Sequence, residues 1–217
     1  MTTRKGLSSM IGAGLIFSLA ILLPAETQFA GHFLFGFRFV ETSGPGANSK
    51  YKEDFNLMGG ARLYNFSLAY QPEPSARKWL DRLDFWISNF GGDPFEFLGV
   101  NLQKYGRYKL KYERKKAVYF YQDLHRPEGQ DLYDFHTFGF DRVADAGTAQ
   151  ISLNKKIDLL FSFDRIAKNG HSRTTQDIER VEFELERPVQ EEAKEIGAGL
   201  DLHSTRYSLF LETRRRD

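Results

Sequence analysis

Cysteine is absent from the 217 residues of the chain. That excludes disulfides, CxxC redox chemistry, thiolate metal sites and covalent c-type haem attachment. Charge of one sign is lacking too: 30 Lys and Arg face 29 Asp and Glu, so bulk electrostatics give no reason to expect a nucleic-acid partner. Long apolar runs are scarce. A mean hydropathy of −0.47 excludes a helical membrane protein but leaves a β-barrel open, because a polar lumen dilutes an apolar outer face. Catalytic signatures are missing as well. His32, His125, His136, His171 and His203 stand in no HxH or HExxH spacing, and no GxSxG occurs. Gly44-Pro45-Gly46 and Gly197-Ala198-Gly199 lack the strand–turn–helix setting of a phosphate cradle. No catalytic residue, metal site or cofactor is expected.

What the chain does have is aromatic alternation. Aromatics make up 15% of it, with 20 Phe and 10 Tyr, a content suited to strands and to membrane-interface girdles. The sharpest example is Lys104 to Arg114. After a Tyr-Gly turn, Tyr108, Leu110 and Tyr112 fall on one side, and Arg107, Lys109, Lys111 and Glu113 on the other. Only the two-residue period of a β-strand sorts side chains this way.

The same period recurs along the chain. It appears at His32–Glu41, with the stripe Phe33, Phe35, Phe37 and Phe39, then at Gly60–Tyr70, Leu80–Phe90 and Phe95–Gln103. Beyond Arg114 the pattern weakens into a connection, Tyr121 to Asp134. It returns at Phe138/Phe140, Ala149–Leu153, Ile157–Phe163, Val181–Leu185, Ile196–Leu202 and Tyr207–Leu211. Ala167 to Gln176 reads as a polar loop and Pro188 to Glu195 as an acidic connection. About ten strands joined to nearest neighbours, with no βαβ unit, predict an all-β antiparallel up-and-down meander.

Residues 1–25 read as a secretory signal peptide: Arg4 and Lys5 open it, Met10 to Leu23 form the apolar run, and Leu23-Pro24-Ala25 offers a cleavage site. Residues 26–217 then form the exported domain. A soluble sandwich uses strands of roughly 5–6 residues, whereas a membrane-spanning strand needs about 9–11, and several segments here have that reach. Small and polar residues such as Asn65, Ser67, Gly99 and Asn101 oppose the apolar face, as a water-filled lumen requires. The expectation is therefore a transmembrane β-barrel in the bacterial outer membrane. A soluble exported β-sheet binding protein is the alternative.

Ser88-Asn89-Phe90-Gly91-Gly92-Asp93-Pro94-Phe95, the run Tyr105 to Arg114, Tyr119-Phe120-Tyr121, Asp134-Phe135-His136-Thr137-Phe138 and Phe163-Asp164-Arg165 together resemble porin-like outer-membrane barrels of the multihaem-cytochrome-associated type. The resemblance implies a barrel that serves as a pore or sheathes an electron-transfer cytochrome, with outer-membrane lipid and a multihaem cytochrome as partners and no chemistry of its own. Barrels of that family are longer, which implies an N-terminal part of a larger, incomplete barrel. The candidate site is then a set of lumen-facing charges: Arg107, Lys109, Lys111, Glu113, Asp158, Asp164, Glu182, Glu184 and Glu186. Asp158 and Asp164 are expected to face Glu182 and Glu184 across a hairpin. Arg180, Arg187 or the Arg107/Lys109/Lys111 ladder are the expected partners of the three glutamates.

Overall fold

The computed structural model describes residues 15–22, 29–43, 47–73, 79–122, 137–178 and 181–217. Within them the alternation produces ten strands: β1 (Leu15–Leu22), β2 (Phe29–Arg38), β3 (Gly60–Tyr70), β4 (Arg82–Phe90), β5 (Phe95–Lys104), β6 (Tyr108–Gln122), β7 (Thr137–Asn154), β8 (Ile157–Ile178), β9 (Val181–His203) and β10 (Ser208–Arg216). Each pairs antiparallel with the next, giving one sheet in sequence order. The all-β meander expected from the sequence is what forms. The sheet does not close on itself: β1 and β10 are its two edges.

β1 occupies the stretch read as the signal's apolar run, and its register with β2 goes from Leu15 opposite Phe37 to Leu22 opposite Ala30. Removal of a signal would leave β2 as the edge. The connection containing Arg126-Pro127-Glu128-Gly129, together with His125, His136 and Arg180, lies outside the described residues.

Connections differ between the two ends of the sheet. One end carries residues 105–107, 155–156 and 204–207 and an 11-residue connection, 71–81. Asp81 pins that last one: it accepts the Tyr105 N–H at 2.7 Å and pairs with Lys104 at 2.9 Å. The other end carries the 21-residue connection 39–59 and the short β4–β5 turn, 91–94.

Three expectations about connections are corrected. β6 runs on past Arg114 to Gln122, and Ala167–Gln176 and Pro188–Glu195 lie inside β8 and β9. Backbone pairing continues there although the hydrophobic alternation fails, and polarity was the only cue to a break. Pro188 is tolerated in β9 because β10 pairs only with residues 195–203, which leaves the other edge of β9 free at that point. A helix was also missed: α1 (Ala47–Asp54) overlaps the loop predicted at Ser43–Ser49. Lys50 braces it with ion pairs to Glu53 at 3.3 Å and Asp54 at 3.0 Å. Lys52 lies over the Phe120 ring at 5.8 Å, beside the part of β6 that runs beyond β5, whose first residue Phe95 pairs with Ala117.

No second layer covers the sheet among the described residues. Ala167 is their only buried hydrophobic residue, while Phe161, Ile196, Leu209 and Leu211 stand roughly half exposed or more. No described helix is long and apolar enough to cross a membrane, which says nothing of strands.

Candidate functional site

Cross-strand register sorts the side chains into two faces. On one face, Tyr108, Ile151, Leu159, Leu200 and Leu211 stand side by side across β6 to β10. Two residues further along come Leu110, Ala149, Phe161 and Ala198, then Tyr112, Gly147, Phe163 and Ile196. The next row is Arg114, Asp145, Arg165 and Lys194. The apolar belt ends there in one cross-strand row on four strands. From the Tyr108 row to the Arg114 row is six residues, roughly 20 Å of strand. The belt continues over β2 to β5 through Phe33, Phe66, Phe85 and Val100, which the registers bring to this face. Phe33 and Phe66 meet edge-on at 6.2 Å, as do Phe66 and Phe85 at 5.8 Å. Tyr105 and Tyr207 stand exposed in the turns below the belt.

The charged row is one network. Buried Asp145 accepts from the Tyr112 hydroxyl at 2.7 Å and from Arg165 Nη1 at 3.2 Å, and Arg114 approaches it to 3.7 Å. Arg165 Nε also donates to Glu192 at 2.6 Å, and Lys194 pairs with Glu192 at 3.0 Å. Arg165 and then Lys194 hold the Glu192 carboxyl below its ordinary value.

The opposite, polar face carries part of the predicted set. Lys109, Lys111 and Glu113 lie on it, opposite Gln103, Asn101 and Gly99 of β5. Lys111 pairs with Glu113 at 2.7 Å. Arg107 instead sits in the turn before β6, where its carbonyl accepts the Ser152 N–H at 2.7 Å. Asp158 and Asp164 are on the polar face, but their cross-strand neighbours are Asp201 and Glu195, not Glu182 and Glu184. The longer hairpin accounts for this correction: β8 runs to Ile178, which pairs with Val181, so Glu182 and Glu184 lie opposite Asp177 and Thr175. Glu186 lies opposite Arg173 and bonds to it, on the side of the sheet that holds Arg165 and Lys194. The β6 ladder is three strands away from the glutamates, so it does not partner them.

Above the charged row both faces of the sheet carry polar residues, and aromatics appear on the polar side. Tyr119, Tyr121, Phe138 and Phe140 now take polar-face positions. Tyr119 stacks on Phe140 at 4.9 Å and Tyr121 on Phe138 at 5.4 Å. Belt-side positions at this height hold Lys116, Asp141, Asn169, Gln190 and Arg173. The sequence reading of Tyr119-Phe120-Tyr121 as one cluster did not separate these sides.

Three features had little or no sequence signal. Arg38, Arg62 and Asp93 form a cluster joining the β2–β3 end to the β4–β5 turn. Arg62 and Asp93 are buried and stand 3.5 Å apart, and Arg38 Nη2 reaches Asp93 at 3.3 Å. Trp86 lies across Gly99 so closely that any Cβ there would clash with its ring, a cross-strand cover for a glycine. Asp158, Asp201 and His203 converge, with their donor atoms all within 4.8 Å of one another. The last could have been sought only as Asp-x-His on one strand face, with the second carboxylate supplied by an unknown register.

Compared with known protein families, curated proteins and solved structures, the chain matches none.

Proposed function

We propose that the sheet is part of the wall of an outer-membrane β-barrel, with its apolar belt against lipid and its polar face toward an aqueous lumen. The supporting observation is the continuity of the belt across strands. Apolar residues fill three successive rows across β6 to β9 and give way together at Arg114, Asp145, Arg165 and Lys194. A single layer with so much exposed apolar surface needs a partner. An apolar stripe carried in register from strand to strand across a single layer suits the continuous face of a bilayer. Strand lengths agree: β2 to β5 have 9–11 residues, the reach of a tilted spanning strand. The open edges of the sheet call for further strands to complete a closed wall.

The function of such a wall is passive, as a pore or as a sheath around a partner. Lys109, Lys111, Glu113, Asp158 and Asp164 on the polar face then set which solute or partner surface is accepted. The porin-like resemblance supports the sheath reading, with a multihaem cytochrome as occupant. No catalysis is assigned to the chain. Fractionation tests the reading: the chain should stay with outer membranes until detergent is added and should migrate differently on gels before and after heating. Recovery from the soluble periplasmic fraction would overturn it in favour of a binding protein.

A further inference from the structure

The turn end of the polar face holds an arrangement that a passive wall does not require. Asp158 and Asp201 are directly opposite one another on β8 and β9, where like charges destabilise a sheet. Among the described residues neither carboxylate has a Lys or Arg ion-pair partner. The His203 imidazole stands beside them, its Nδ1 3.9 Å from Asp201 Oδ1.

Asp158 is buried and oriented from behind, since Gln150 Nε2 donates to its Oδ2 at 2.8 Å. His203 is fixed at the end of β9, where its backbone N–H donates to the Lys156 carbonyl at 2.9 Å. One buried carboxylate, one accessible carboxylate and one imidazole thus converge on a single point.

We propose that Asp158, Asp201 and His203 bind a divalent transition-metal ion on the polar face, beside the 155–156 and 204–207 turns. Two carboxylates and an imidazole suit zinc or its neighbours and are a poor match for calcium, which prefers an all-oxygen shell of six to eight ligands. Donor atoms on a bound zinc ion sit about 2.0–2.2 Å from it, so the spread of up to 4.8 Å closes by small side-chain rotations. Three protein ligands leave a position for water or for a ligand in the lumen. The ion removes the Asp158–Asp201 repulsion, and Gln150 supplies the outer support that metal ligands commonly have. The site comes from the β7–β9 hairpins alone, so it stands whether the belt meets lipid or protein.

Zinc titration of the purified full chain against a chromogenic chelator tests the site. One saturable zinc per chain is expected, with affinity falling more than about tenfold in His203→Ala and in Asp201→Asn. Excess calcium should not displace the zinc, and His32→Ala and His171→Ala should bind as the parent chain does. Should a variant fail to fold, zinc-induced shifts of the His203 ring signals in the histidine-labelled parent chain report the same contact. Absence of saturable binding, unchanged affinity in His203→Ala and Asp201→Asn, or full competition by calcium would overturn the proposal.

Discussion

β2 to β5 and β6 to β9 belong to one sheet but solve different problems. The first four strands have 9–11 residues and end together at a compact rim, where Asp93 sits buried between Arg38 and Arg62. The second four have 15, 18, 22 and 23 residues. They repeat the belt and then continue past it with polar residues on both faces. In the extension the ion pairs are exposed, as with Lys168 and Glu191 at 2.7 Å, and Tyr119, Tyr121, Phe138 and Phe140 stand on the polar side. The difference teaches that strand length and strand polarity are set separately. Pairing continues wherever backbone groups find each other, while the facing of side chains follows the surroundings at each height.

The largest contrast should be electrostatic. Asp93→Ala leaves the buried Arg62 without its carboxylate and should cost about 3–5 kcal/mol. Glu186→Ala removes only an exposed partner of Arg173 in the extension and should cost less than about 1 kcal/mol. Denaturant unfolding in the same detergent reads both. Equal losses would erase the distinction between a sealed rim and a solvated extension.

Next comes the belt boundary itself. Leu110→Arg, within the belt, should destabilise the membrane-inserted chain by about 2–4 kcal/mol. Val143→Arg lies on the same side but above the charged row, between Asp141 and Asp145 along β7, and should change stability by less than about 0.5 kcal/mol. Refolding titrations into lipid vesicles compare the pair, and a penalty at Val143 matching that at Leu110 would move the boundary upward.

Phe140→Ala should loosen the extension alone. It removes the stack on Tyr119, worth about 0.5–1.5 kcal/mol beyond area. Amide exchange should quicken in residues 117–122 and 137–143 and stay unchanged around Leu110. Faster exchange in the belt as well would mean that the two sections unfold as one unit.

The smallest effect is that of acid. Lys168 holds Glu191 below its ordinary value of 4.5, and Arg165 and Lys194 do the same for Glu192. A depressed carboxylate contributes stability that is present above its unfolded-state value and lost as pH falls through the folded one. Amide exchange in residues 186–192 should therefore quicken as pH drops through and below about 4.5, after correction for intrinsic rates, while the belt holds. Added salt at neutral pH should act on the same residues, because exposed pairs are screened.

Much of the belt was legible in the sequence because its cause is local. Tyr108, Leu110 and Tyr112 alternate with Lys109, Lys111 and Glu113, and one strand suffices to show it. The extension was misread for the same reason: at Ala167–Gln176 and Pro188–Glu195 both faces are wet, so no alternation marks a strand that pairing nonetheless sustains. Asp145 could not be singled out at all. Its role depends on Arg165 being its cross-strand neighbour on β8, and the true partners of Asp158 and Asp164 likewise followed from the register of β8 with β9. Register is a property of two segments, and neither one encodes it alone.

The most direct test of the account uses spin labels at Leu110, Leu159 and Leu200 in the belt and at Lys111 and Ser162 on the opposite face, with the chain in lipid vesicles. Belt labels should collide freely with oxygen dissolved in the bilayer and be shielded from a water-soluble nickel chelate, and the opposite face should show the reverse. Belt labels shielded from both reagents would place that face against protein, and the membrane-wall reading would be contradicted.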